Sequence, residues 1–156
     1  MKNLTMKKAL SLVAVSSLLS LTVVSIPTVA RAADPACTTA NYVTSCVGVT
    51  SDTAPYSMMV PANFNGTVFI YSHGYRPNIA IPAGIPGYGG YTVTNTPQPG
   101  PNATVIGALL AKGYGVMGSG FSRQGWNANE GVKTDVELIG LFKKQFTKTT
   151  KVIAWG

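Results

Sequence analysis

Three short apolar runs, two of them preceded by helical stretches, constrain the fold of this chain more than any other feature. The first run, residues 67–72, is nearly continuous, which is typical of a strand buried on both faces of a sheet. The other two, residues 115–119 and 151–155, each follow a stretch with helical character. A helix between two buried strands requires a right-handed crossover and hence a parallel sheet. The second half of the chain is therefore predicted to have an α/β fold.

Local signals delimit the first helix. It is predicted over residues 103–112 and begins at Pro101 or Asn102. Gly113 follows it directly, and glycine is the residue type most common just past the end of a helix.

The second helix is amphipathic and is capped by Asn129 or Thr134. Its apolar residues recur at helical spacing and predict a buried face: Val132, Val136, Ile139 and Phe142 or Phe146. Asp135 is interpreted as a first-turn or surface residue of this helix.

The region before these elements indicates antiparallel strands. Residues 42–50 and 56–60 are rich in alternating and β-branched side chains, and Pro61 ends the second of these strands. The turn at residues 63–66 ends in Asn-Gly, the strongest short-range signal for a hairpin, and leads into the run at 67–72. We therefore expect antiparallel strands first and parallel β-α-β units after them.

The N-terminal residues have the pattern of a secretion signal. Three lysines within the first eight residues precede an uncharged apolar run at 9–26, and a small-x-small cleavage site ends at Ala32. The alternative is an uncleaved anchor, because the run approaches the roughly 20 residues that span a bilayer. The cleavage site favours removal of residues 1–32. Residues 33–156 are then a secreted or periplasmic domain without stable membrane insertion.

Export places the two cysteines in an oxidising compartment. Cys37 and Cys46 are therefore predicted to form a structural disulfide that closes a short loop. A redox role is disfavoured because the chain has no Cys-x-x-Cys motif.

Charge and composition exclude two classes of function. Residues 33–156 contain eight Lys and Arg against five Asp and Glu, a net charge of +3 with no extended basic run, so nucleic-acid binding by a basic patch is not expected. One histidine and two cysteines are too few for a His/Cys zinc cluster.

A long segment at residues 76–101 is rich in Pro and Gly and shows little periodicity. It is predicted to be a loop or inserted flap, and such loops in compact domains are often functional. Tyr88 and Tyr91 could contact a ligand there, or they could cover the domain's own surface.

The residues directly after the run 67–72 are the most informative for chemistry. Gly74 would let a ligand approach the backbone, and the Tyr75 N–H could donate to a developing oxyanion. His73 is either part of such a loop or an ordinary loop histidine, because His-Gly alone is a common pair.

The context of this loop resembles the α/β-hydrolase family, in particular its secreted bacterial esterase-, lipase- and peptidase-like members. Six segments carry the resemblance: residues 60–67, 68–75, 110–116, 119–125, the amphipathic second helix, and residues 152–156. The resemblance implies that His73, Gly74 and Tyr75 form the oxyanion loop after the third strand. It also implies that the fifth strand lies beside the third and leads to a Gly-x-Ser-x-Gly nucleophile elbow.

Gly156 matches the first glycine of that elbow. The resemblance then implies the N-terminal portion of a secreted serine hydrolase of small-molecule or polymeric esters or amides, with an incomplete sheet. The nucleophile, base and acid would all follow residue 156, so the chain as given is expected to be inactive. Arg76 and the loop after it would border the substrate pocket, and no metal or organic cofactor is implied.

A non-catalytic secreted binding module is the alternative. In that interpretation, the aromatic Gly/Pro-rich loop binds a glycan or other polymer, and no catalytic triad is needed.

Overall fold

The computed structural model describes residues 32–87 and 89–156. The signal predicted at the N-terminus therefore lies outside the described residues except for Ala32, and so does Tyr88. Within the described part, the elements are β1 (Ala36–Ala40), β2 (Val43–Val49), β3 (Pro55–Pro61), β4 (Thr67–Tyr71), α1 (Ala103–Ala111), β5 (Gly115–Ser119), α2 (Ala128–Gln145) and β6 (Lys151–Trp155). Neither described helix is long and apolar enough to cross a membrane.

The described strands form one mixed sheet in the order β1-β2-β3-β5-β4-β6. The pairs β1–β2, β2–β3 and β3–β5 are antiparallel, whereas β5–β4 and β4–β6 are parallel. This confirms the predicted α/β class, with antiparallel strands first and parallel strands after them. It also confirms that residues 151–155 lie beside the run at 67–72, with Phe69 opposite Ile153.

The hairpin predicted at Asn65-Gly66 is wrong, because β5 lies between β3 and β4. Gly66 does make a turn, with a φ of +91° that suits glycine. Its carbonyl, however, accepts the amides of Thr150 and Lys151, so the turn leads the chain into parallel pairing with β6. A local turn signal cannot reveal a strand that enters the sheet from 50 residues away.

A hairpin that the sequence analysis did not predict joins β1 to β2. Its turn residues Asn41 and Tyr42 have positive φ angles of 50° and 62°, the conformation of a tight two-residue hairpin turn. Cys37 lies directly opposite Cys46 in this pair and the two are disulfide-bonded, as predicted. Such a bond is compatible with an extracellular location.

The first helix follows its predicted signals closely. The side chain of Asn102 caps α1 by accepting the Val105 amide at 2.9 Å, and Gly113 just beyond its end has a φ of +80°. The second helix begins earlier than predicted, at Ala128. Thr134 is buried inside it rather than capping it, and its hydroxyl donates to the Asp52 carboxylate at 2.7 Å.

The predicted buried face of α2 is correct only in part, because Phe142 is buried in the core and Ile139 and Phe146 pack against it. Leu138 and Phe142 enter the core, whereas Val132 and Val136 are 63% and 65% exposed. Val132 and Thr134 are two residues apart and therefore lie about 200° apart around the helix axis. The predicted face thus combined residues of the buried stripe with Val132 and Val136, which lie outside it. Thr134 lies in line with Leu138 and Phe142 and completes the true buried stripe.

Burial on both faces is confirmed for β5, every residue of which is buried. The same prediction is only half correct for β4, which is fully buried on one face only. Val68 and Ile70 are fully buried, but Phe69 and Tyr71 lie on a half-exposed face. Their rings contact the Trp155 ring at centroid distances of 6.2 and 5.2 Å.

Candidate functional site

A cavity of about 280 Å³ lies beyond the carboxyl ends of β4 and β5 and beside the first turns of α2. We call it the main cavity because it adjoins the loop that follows β4, not because of its size. Its lining comes from residues 72–76 after β4, from the bend at 121–127 after β5, and from the start of the helix. Ligand sites of open α/β sheets lie at this end of the strands. The sequence-predicted residues His73, Gly74 and Tyr75 all line this cavity.

His73 is buried and held from two sides. Its Nδ1 lies 2.7 Å from the Gly74 carbonyl oxygen, and because a carbonyl oxygen only accepts, Nδ1 is the donor in this contact. Its ring packs on Phe121 with centroids 4.4 Å apart. Nε2 is buried and has no hydrogen-bond partner among the described residues, so His73 is only partly satisfied as a loop histidine.

Asp135 also lines the cavity, which corrects its interpretation as a first-turn or surface residue. Its Oδ2 accepts the Ser72 hydroxyl at 2.5 Å, and its buried Oδ1 has no partner among the described residues. Burial raises the pKa of the Asp135 carboxyl above its ordinary value, and the Ser72 hydrogen bond and the attraction of His73 offset only part of that rise. Asp135 thereby ties α2 to the loop after β4.

Ser72, His73 and Asp135 do not have the arrangement of a catalytic triad. A triad requires the nucleophile to hydrogen-bond to the base and the base to the acid. Here the Ser72 hydroxyl bonds directly to the carboxylate, and Nδ1 of His73 is engaged by a backbone carbonyl. The three residues are suited to holding the loop in place.

Gly156 lies against the start of this loop. The Ser72 amide donates to the Trp155 carbonyl at 2.9 Å, which continues the β4–β6 pairing. A Cβ atom at residue 156 would lie 2.4 Å from the Ser72 carbonyl oxygen, so this position requires glycine. By contrast, a Cβ at Gly74 would have no heavy atom within 4 Å, so that glycine leaves open space above the loop.

An aromatic pair at the cavity wall was not found by sequence reasoning. The rings of Tyr75 and Trp126 lie 5.2 Å apart at an angle of 33°, and Trp126 is 93% exposed. Phe121, in the same bend, contacts His73. An aromatic residue in a Gly-rich bend after a buried strand is the only signal in the sequence that could have indicated this wall.

Arg76 lines the cavity but is occupied by its own loop. Its guanidinium donates to the Thr96 carbonyl at 3.0 Å and to the Gln98 side-chain oxygen. Burial lowers the pKa of Arg76, and the nearby Tyr91 and Tyr71 oppose this change. These contacts hold the end of the segment 76–101 against the domain.

Tyr91 is not brought to this cavity. Its backbone pairs with Ile81, and its side chain borders a separate shallow depression within the loop. The loop itself docks closely on β5, since a Cβ at Gly118 or Gly120 would collide with carbonyl oxygens of Gln98 or Asn95. No group of three His, Cys, Asp or Glu side chains that could hold a metal ion is found among the described residues.

Comparison with known proteins adds no assignment: no protein-family model matches the chain, and neither a curated protein nor a solved structure matches it.

Proposed function

We propose that this chain is the N-terminal portion of a secreted serine hydrolase of the α/β-hydrolase type, which transfers the acyl group of an ester or amide to water. One observation carries the proposal. The close approach of Gly156 to the Ser72 carbonyl puts the position where a nucleophile elbow would begin beside the loop His73–Gly74–Tyr75. A serine two residues beyond Gly156 would then stand next to that loop.

The strand arrangement supports the same conclusion. Counted from β2, β4 is the third strand and β6 the fifth, and the two are parallel neighbours. The family resemblance requires this neighbour relation, because its oxyanion loop follows the third strand and its nucleophile follows the fifth. The disulfide between Cys37 and Cys46 is compatible with the secreted location that the proposal includes.

The proposed reaction assigns a limited role to the residues of this chain. A serine beyond residue 156 attacks the carbonyl carbon, and a histidine supplied by the same later region takes its proton. The Tyr75 N–H donates to the tetrahedral oxyanion, together with the N–H of the residue after the nucleophile. Ser72 and Asp135 hold the loop that presents this donor.

The experiment begins with the coding sequence downstream of codon 156, which is expected to continue with x-Ser-x-Gly. The extended product should react with a fluorophosphonate probe and hydrolyse p-nitrophenyl esters, whereas the 156-residue chain should do neither.

In the extended product, Tyr75→Pro should lower kcat by about 100- to 1,000-fold, because proline removes the donor N–H. Tyr75→Ala is the matched control, since it removes the ring and keeps the N–H. The proposal would be contradicted by equal losses of kcat in the two variants or by turnover by the 156-residue chain. A downstream sequence without the serine motif would also contradict it.

A further inference from the structure

The chemistry of the main cavity's wall selects for a particular kind of ligand. Three aromatic side chains, Tyr75, Phe121 and Trp126, contribute to the wall, together with the exposed Val132 on α2. Tyr75 and Trp126 form one ring pair and Phe121 packs on His73 in another. A group that enters this space meets side chains of both ring pairs.

Two polar atoms of lining residues, His73 Nε2 and Asp135 Oδ1, have no partner among the described residues, but both are buried and expose almost no surface to a ligand. The other polar side chains that line the cavity are already used within the protein. Gln124 donates to the Gly120 carbonyl at 2.6 Å, and Asn127 donates to the Arg123 carbonyl. The guanidinium of Arg76 and the hydroxyl of Ser72 are engaged as described above. A sugar or a peptide would therefore bury hydroxyl or amide groups without partners, which is unfavourable.

The charged groups at the cavity give no net preference for a ligand of either sign. Arg76 and Asp135 both line it and have opposite formal charges, so the attraction of one for a charged ligand is offset by the repulsion of the other. The Arg76 guanidinium and the Asp135 Oδ2 atom are also engaged by internal hydrogen bonds, which they would have to exchange for a charged ligand. An uncharged ligand avoids the cost of that exchange.

Among uncharged ligands, an aryl group fits better than an alkyl chain. Ring pairs gain about 0.5–1.5 kcal/mol beyond the apolar area that they bury, roughly a two- to twelvefold gain in affinity. A flexible alkyl chain additionally loses rotational freedom when it is ordered. We propose that this cavity binds an uncharged aryl group and that the substrates are therefore aryl-bearing esters or amides. The assignment of the substrates rests on the proposed function.

Binding can be measured on the 156-residue chain without turnover. The probe is propiophenone, a neutral aryl ketone, and cyclohexyl ethyl ketone is its matched non-aromatic counterpart. The indole N–H signals of Trp126 and Trp155 are followed by NMR and assigned with Trp126→Phe. The ring signals of His73 are unambiguous because the chain has one histidine.

The Trp126 and His73 signals should shift saturably with propiophenone, whereas the Trp155 indole, which packs on Phe69 and Tyr71, should not shift. Propiophenone should bind about three- to tenfold more tightly than the cyclohexyl ketone. Equal affinities, or tighter binding of the cyclohexyl ketone, would overturn the aryl assignment.

Two variants of α2 locate the site. Val132 lines the cavity, whereas Val136 lies one turn further along the helix, is equally exposed, and is outside the lining. Val132→Asp should weaken propiophenone binding at least about tenfold, because it places a carboxylate in an apolar wall. Val136→Asp should leave the affinity unchanged.

Equal weakening by the two aspartates, or the absence of any saturable shift, would overturn the inference. Neither result depends on hydrolysis. The cavity assignment and the proposed function can therefore fail separately: the first by these titrations, the second by the Tyr75→Pro comparison in the extended product.

Discussion

Two aspartates, Asp52 in the turn before β3 and Asp135 on α2, show how the surroundings of a carboxyl group shift its pKa in opposite directions. Burial alone would raise the pKa of Asp52, but donors from Thr50, Thr134, Ser122 and the Ala54 amide outweigh it and hold that pKa below its ordinary value. Asp135 has one hydroxyl donor, from Ser72, and burial dominates. Asp52 is therefore a stable carboxylate that joins the β2–β3 turn to α2, whereas ionisation of Asp135 is less favourable than that of an ordinary aspartate.

Asp135→Asn is expected to change how stability depends on pH. The pKa of Asp135 is higher in the folded state than in the unfolded state, where it is about 3.9. The stabilisation that the folded protein gains from protonated Asp135 is therefore complete below the unfolded-state pKa and is lost as pH rises through the folded-state pKa. The asparagine does not titrate, and its carbonyl oxygen can still accept the Ser72 hydroxyl. The variant should therefore gain stability relative to the parent chain as pH increases from 4 to 7.

Urea unfolding at a series of pH values between 4 and 7 measures this difference. A difference in unfolding free energy that stays constant with pH, or that falls as pH rises, would show that ionisation of Asp135 is not disfavoured by folding.

Residue-scale features were predictable where the cause is local in sequence. The Asn102 cap and the Gly113 stop each depend on atoms within a few residues. The roles of Val132 and Asp135 were not predictable, because they depend on how α2 is rotated about its axis. That rotation is set by the packing of Leu138 and Phe142 in the core.

At the scale of elements, the docking of the loop 76–101 on β5 depends on two glycines. Gly120→Ala would place a Cβ atom within 1.6 Å of the Asn95 carbonyl oxygen, so the loop must move. We expect faster proteolytic cleavage within residues 76–101 and a lower free energy of unfolding. Because Arg76 is anchored to Thr96, the wall of the main cavity should loosen as well.

Gly140→Ala is the matched control, because it makes the same chemical change where no heavy atom lies within 4 Å. Gly140 is inside α2, and replacement by alanine should stabilise the protein by about 0.5–1 kcal/mol. Limited proteolysis and urea unfolding are compared for the two variants. Unchanged cleavage of the loop in Gly120→Ala would contradict its docking on β5.

The sequence predicted the elements better than their pairing. Apolar runs and capping residues identify strands and helices from local periodicity, and the order β, β, β, α, β, α, β after residue 42 agrees with the structure. Pairing depends on residues far apart: β5 separates β3 from β4, although those two strands are joined by a short turn. The β1 strand was not predicted because Ala36–Ala40 contains no large apolar side chain and is fully exposed.

At the scale of the whole molecule, the two edges of the described sheet differ in character. One edge is β1, which has no large apolar side chain and is held by the disulfide. The other is β6, which is apolar, pairs with β4 on one side, and has no neighbour among the described strands on the other. The half-exposed aromatic face of Phe69, Tyr71 and Trp155 adjoins this second edge. Exposed apolar edges promote association between chains.

Ala154→Lys is therefore expected to reduce self-association of the 156-residue chain, because a lysine on an apolar edge strand opposes pairing with a second copy. Ala40→Lys makes the same substitution on β1 and should have little effect, since that edge has no large apolar side chain. Light scattering after size-exclusion chromatography, over a range of concentrations, measures the monomer fraction. Equal gains from both lysines would indicate a general effect of added charge rather than pairing at β6. In the extended hydrolase proposed above, further chain would cover the β6 edge, so the benefit of Ala154→Lys should disappear there.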